Sequence, residues 1–237
     1  MGSCNSIRSF VTLILLTGLP VIVCAGNHHA VVLEENNVFT VEDINQAEYK
    51  RHVRLLIRDK NGLEYTRVSY TDGRYYRCED VSAFITDTTG EKLKELDTDD
   101  IHRSNITPEI SDRWEYWFDL TYTSFPFILE YTISYEFHSL FFWPDWSPAW
   151  EIPVSESQYI LNLEDDIAFS WYNIGIDIHP DTVTTGPART LVWRMENIEP
   201  LKKEDLAVSL KILQEALKVY PGSKVRELPV GEEKARS

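Results

Sequence analysis

A cysteine nucleophile needs a sulfur that can ionise, an imidazole close enough to take its proton, and a third group that orients the imidazole. The chain offers three cysteines, Cys4, Cys24 and Cys78, and six histidines. Cys78 stands in RYYRCED, between Arg77 and Glu79, and nothing before it reads as a helix start, so an unreactive, half-buried thiol is the favoured reading. A cysteine hydrolase or acyltransferase would need a histidine within hydrogen-bond reach of that sulfur. His28, His29, His52, His102, His138 and His179 contain no pair at helical i, i+4 spacing and no cysteine or carboxylate at metal-site spacing, so no zinc site is expected. The run DTDD at 97–100 has the acids of a calcium loop but not its glycine, and Pro108 stands where the twelfth-position glutamate belongs. Asn105-Ile106-Thr107 is a formal glycosylation acceptor weakened by Pro108. There is no glycine-rich phosphate loop and no G-x-S-x-G elbow. No catalytic residue, metal or cofactor is expected.

The other chemistry-bearing stretch is FFWPDWSPAW, 141–150, which holds three of the seven tryptophans. Pro144 and Pro148 exclude a regular helix and a central strand, so an irregular connection must place the rings. Trp143, Trp146 and Trp150 could form a stacking platform for a sugar or glycan, or a docking face for another protein. Burial competes: at about 150–250 Å² per ring and about 25 cal/mol per Å², three tryptophans offer roughly 11–19 kcal/mol of gross burial. A loop folded over the end of the core is the reading we favour. Exposure of the three rings in one plane would indicate the carbohydrate-binding module instead.

The elements that must position these residues are strands. In YKRHVRLLIRD, Val53, Leu55 and Ile57 share one face while His52, Arg54 and Arg58 point the other way, and Asn61-Gly62 predicts a tight turn into a return strand over 63–70. Val81, Ala83 and Ile85 alternate before Asp87-Thr88-Thr89-Gly90 and a short polar strand. Trp114, Tyr116, Phe118, Leu120 and Tyr122 line one face, then Tyr131, Ile133, Tyr135 and Phe137 line the next, and strands continue at 157–163, 167–177 and 189–195. Short strands with frequent turns predict a mainly β fold, an antiparallel β-sandwich, over 26–200. After Pro200 the pattern changes. Leu206, Leu210, Leu213, Leu217 and Tyr220 are spaced 4, 3, 4, 3, predicting one C-terminal amphipathic α-helix within 201–222, with an apolar stripe available to a partner, stopped by Pro221-Gly222. The tail 223–237 has little to bury and is expected to be disordered.

Residues 1–25 read as a secretory signal peptide, with Arg8 ahead of an apolar run ending Val23-Cys24-Ala25; a lipid-modified Cys24 is less favoured because Val23 is not small. Cleavage would leave Cys78 as the sole thiol and no intramolecular disulfide, in a secreted or periplasmic chain. The formal charge of −15 disfavours nucleic acid and anionic lipid as partners, and no membrane contact beyond the signal peptide is expected.

Taken in order, HAVVLEENNVFTVED, YKRHVRLLIRDKNGLEY, CEDVSAFITDTTGEKLKELDTDDIHRS, FILEYTISYEF, WEIPVSESQYILNL and LVWRMENIEPLKKE resemble DUF3857, a β-rich domain of secreted bacterial proteins that usually precedes a transglutaminase-like domain. The resemblance covers about residues 29–204 and lies in the order and spacing of strands, not in one motif. It implies a non-catalytic, β-rich envelope module and names no ligand for it; we expect the chain to engage another envelope protein, a separately encoded transglutaminase-like enzyme among the candidates, or another copy of itself. Two departures stand out: Pro126-Phe127 replaces the glycine usual in that turn, and one helix after Pro200 leaves no room for the partner domain.

Overall fold

The structure, a computed structural model, describes residues 28–43, 45–105, 113–139, 143–164, 167–185, 188–201 and 216–221. Residues 1–25, where a signal peptide is expected, and the tail from 223 lie outside these residues. The fold is mainly β, as the alternation predicts. Its strands are β1 (Ala30–Asp43), β2 (Gln46–Ile57), β3 (Arg67–Asp72), β4 (Tyr76–Thr86), β5 (Lys92–Glu95), β6 (His102–Asn105), β7 (Trp114–Asp119), β8 (Phe127–Phe137), β9 (Val154–Glu164), β10 (Phe169–Ile174), β11 (Asp181–Thr185), β12 (Ala188–Ile198) and β13 (Ala216–Pro221). They form an eight-stranded sheet in the order β11-β12-β9-β1-β2-β8-β4-β5, a three-stranded sheet β3-β7-β6 and a pair β10-β13. The large sheet is mixed: β1 runs antiparallel to β2 but parallel to β9, with Val32 opposite Val154 and Val41 opposite Leu163.

Both small sheets pack on the same face of the large one. Odd-numbered residues of β2 share a face; of these, Ala47 belongs to one apolar cluster and Val53, Leu55 and Ile57 to another. On β8 the same holds, with Phe137 in the first and Phe127, Leu129, Tyr131 and Ile133 in the second. Val68, Tyr70 and Phe118 bring β3 and β7 onto the cluster of Val53, Leu55 and Ile57; Leu217 and Val219 bring β13 onto the cluster of Phe39, Tyr159 and Trp193. β2 and β8 therefore span two cores laid side by side.

Two expectations are corrected. Asn61-Gly62 does not close a hairpin. Lys60–Thr66 is a 3-10 turn capped by Asp59, whose Oδ1 accepts from the Asn61 amide at 2.8 Å, and the strand that follows pairs with β7, not β2. The glycine serves close approach: a Cβ on Gly62 would clash with the His29 carbonyl oxygen. The expected helix does not run to Tyr220 either. Ala216–Pro221 is strand β13, with Leu217 opposite Asn173 and Val219 opposite Trp171. Over these residues Leu217 and Val219 supply a two-residue period, both buried, while Tyr220 is exposed, and pairing with β10 satisfies the backbone that a helix would have satisfied internally. Leu206, Leu210 and Leu213 lie outside the described residues.

The opposite face of the large sheet carries a chain of polar side chains. Glu156 meets Arg194 (3.3 Å), Arg194 meets Gln158 (3.4 Å), Gln158 bonds Asn36 and Asn36 bonds Glu34. Glu34 then meets Arg54 (3.7 Å), Arg54 meets Glu130 (3.3 Å) and Glu130 accepts from His52 Nε2 (3.0 Å). The hydrogen bond from His52, with Arg54 adding to it against partial burial, holds the Glu130 carboxyl below its usual range. A depressed carboxylate contributes stability that is complete above the ordinary glutamate value and is lost as pH falls through the folded-state value. Glu130→Gln is therefore expected to melt below wild type at neutral pH, with the gap closing as pH is lowered through the ordinary glutamate range and below it. A gap that stays constant with pH would show that Glu130 contributes no charge-dependent stability.

Candidate functional site

The seam between the two cores is polar, although it lies on the packed face. A bulge between Val32 and Glu34 in β1 resets the alternation, so that Val32 and then Glu35, Asn37, Phe39 and Val41 point inward. Arg51 shares the inward parity of Val53, Leu55 and Ile57 on β2. Arg51 Nη2 and Nε donate to Glu35 Oε1 at 2.7 and 3.1 Å. Glu35 Oε2 accepts from Ser157 Oγ at 3.0 Å and from Trp150 Nε1 at 3.1 Å. Ser157 Oγ in turn accepts from Trp146 Nε1 at 2.9 Å, and Tyr49 OH donates to Asn37 Oδ1 at 2.6 Å. The Glu35 side chain is only 3% exposed while the Arg51 side chain keeps 32%, so the carboxylate is enclosed, and the Arg51 guanidinium lies over the Trp150 ring, 5.4 Å from its centroid. Burial pushes the Tyr49 and Tyr159 phenols well above their usual range, so both stay neutral donors at any physiological pH.

Residues 143–150 close over this seam. Tyr159 OH donates to the Pro144 carbonyl at 3.1 Å, Trp146 and Leu217 exchange backbone hydrogen bonds at 3.1 and 2.8 Å, and Leu201 N donates to the Trp150 carbonyl at 2.8 Å. Lys218 pairs with Asp145. Trp143 and Trp146 are 6% and 2% exposed, and Trp150 is half-buried. The three rings do not form an exposed plane: two are inside the core and the third stacks under Arg51. This corrects the platform alternative for the folded state, because faces already packed against Phe39 and Tyr159 offer nothing for a sugar to cover. Beside the lid, an open groove of about 420 Å³ is lined by Ala149 and residues 195–201, with Met195, Ile198 and Leu201 as its apolar part and Glu196 and Glu199 as its acids.

Cys78 lies on β4, half-buried, beside a shift in register between Cys78 and Asp80. Its amide donates to Asp72 Oδ1 at 2.7 Å and its thiol to the Asp80 carbonyl at 3.7 Å. Burial, then the carboxylate of Asp72, push the thiol up to about 12, so it carries almost no thiolate at neutral pH. His29, His52, His138 and His179 pair with Asp59, Glu130, Glu136 and Asp177, and His102 lies against Trp117; none of these contacts is to Cys78. Among the described residues no group of three or more His, Cys, Asp or Glu could hold a metal ion. Of the apolar stripe proposed for a partner, Leu217 is buried in the second core and Tyr220 is exposed beside Tyr172.

Sequence reasoning missed Glu35, Asn37, Arg51 and Ser157. A signal existed for Arg51, a charged residue at the inward parity of Val53, Leu55 and Ile57. None existed for Glu35, since the bulge that turns it inward has no mark in the sequence.

The family model of a domain of unknown function with a solved structure, DUF3857, matches residues 45–202. No curated protein matches the chain. Among solved structures, a candidate protease from Parabacteroides distasonis superposes with a TM-score of 0.70 at 11% identity, over 82% of this chain and 40% of that one. An M1 zinc metallopeptidase from Deinococcus radiodurans reaches a TM-score of 0.38 at 9% identity, over 83% and 43%. The first of these likenesses shows a shared fold, and this chain spans less than half the length of either protein.

Proposed function

Because the chain belongs to the DUF3857 family, we propose that it is a non-catalytic β module of the bacterial cell envelope that assembles with another protein there, a transglutaminase-like enzyme being the partner its resemblance implies. The observation that carries this reading is the state of its one described thiol. A cysteine ringed by Asp72, Glu79 and Asp80 and pushed up to about 12 is the reverse of an activated nucleophile, whose thiol is lowered by a neighbouring cation. The buried seam is likewise saturated: Glu35 accepts four hydrogen bonds from three side chains, and a lid held at several points leaves it no access to a substrate. The likeness to a candidate protease covers two fifths of that protein, so proteolysis belongs to its whole chain and is not carried over.

Cys78→Ser is expected to change stability by no more than about 1 kcal/mol. It should also leave unchanged the capture of a transglutaminase-like enzyme from envelope extract by the immobilised chain. In wild type, alkylation of Cys78 should run slower than that of a free cysteine at pH 8 and rise with pH toward 12. Alkylation at neutral pH faster than a free thiol would sink the non-catalytic reading, and failure to retain any such enzyme would sink the partner.

A further inference from the structure

The two edges of the large sheet differ in make. At one, β5 is four residues long, carries Lys92 and Lys94, and meets β4 beside a register shift between Ile85 and Thr86. Short length, lysines and bulges are devices that keep an edge from pairing. At the other, β11 reads Asp181-Thr182-Val183-Thr184-Thr185 and pairs with β12 in unbroken register, without a lysine, a proline or a bulge. Among the described residues no strand pairs with its outer side. Asp181 to Thr184 are exposed, and Val183, at 57%, is the most exposed of the large hydrophobic residues described. In an antiparallel pair every second residue turns its N–H and C=O away from its partner, so the outer side of β11 carries a row of hydrogen-bonding groups that no strand among the described residues pairs with.

Resting on the reading of the chain as an assembly module, we propose that β11 is a pairing edge whose occupant is β11 of a second copy, antiparallel across a two-fold axis through Val183. The strand fits its own reversal. Val183 then faces Val183 and Thr182 faces Thr184, so β-branched residues meet and the charged Asp181 never faces its copy. This register alone engages all five residues. Pairing would make one sheet continuous through the dimer. Two five-residue strands bury less than the ~1,000 Å² of a stable interface, and each copy carries a formal charge of −15, so the dimer is weak and strengthened by salt.

Sedimentation equilibrium of the full chain over rising concentration tests this. The weight-average mass should climb toward twice the monomer, further at about 0.5 M salt than at about 0.15 M. Val183→Asp, which sets two carboxylates face to face at an exposed position, should return it to the monomer without moving the melting curve, while Val183→Thr keeps the dimer. A dimer that Val183→Asp leaves unchanged overturns the pairing edge but not the assembly reading. A wild-type chain that is monomeric throughout overturns the pairing whatever the chain captures from envelope extract, and the assembly reading stands or falls on that capture.

Discussion

Trp146→Ala should lower stability by about 3–5 kcal/mol, the cost of deleting a large aromatic from a packed core. The ring is 2% exposed, packs near Tyr159, and donates through Nε1 to Ser157. At about 2–4 °C per kcal/mol for a domain of this size, the melting temperature should fall by about 6–20 °C. Trp146→Phe separates the two contributions: it keeps most of the apolar burial and loses the donor, for an expected cost of about 1–3 kcal/mol. Native tryptophan fluorescence should be blue-shifted and poorly quenched by iodide. If Trp146→Ala melted like wild type while abolishing binding to a glycan array, the residue would be a surface contact and the lid would be misplaced.

A loss of similar size is expected from Arg51→Met, for a different reason. Removing one member of an enclosed ion pair costs about 3–5 kcal/mol because the partner charge is left behind. Here that partner is Glu35, which would retain only Ser157 and Trp150 as donors. Replacing both, Glu35→Leu with Arg51→Met, should recover much of the loss, since a buried pair contributes less than its breakage suggests. The double-mutant cycle therefore has a predicted sign: the two changes together cost less than their sum. Strict additivity would show that the two side chains do not act as a pair. Arg51 is partly exposed, which places the expected value toward the low end of the range.

Most strands were legible because their side chains alternate between a packed and a wet face; β2, β4, β8, β9 and β12 follow the pattern seen in the sequence. What escaped were places where one residue changes the phase. The bulge at Val32/Glu34 turns Glu35 inward, and Gly62 is fixed by the backbone of His29, thirty-three residues away in the chain, which no local window contains. The end of the expected helix failed because Leu217 fits both periods, and only the partner strand β10 decides between them. The size of their apolar surface marks the tryptophans as a lid, but nothing in the sequence places their polar ends, because Ser157 and Glu35 reach them from distant strands.

The parallel pairing of β1 with β9 sets an order on the assembly of the molecule in time. Val32 meets Val154 and Val41 meets Leu163, so the central strand has one neighbour next to it in sequence and the other more than a hundred residues away. Closing so long a loop must precede any reward from the contact, which makes such pairings slow. A chain emerging from its N-terminus can form the β1–β2 hairpin early, but one side of β1 stays open until β9 has been delivered. During that interval Phe39 and Val41, which finish in the second core, lack the cover that Tyr159, Leu161, Trp193 and the strands after β9 supply. The chain is thus most vulnerable to aggregation late in its delivery, and a holdase that masks the β1–β2 hairpin would act at the step that limits folding.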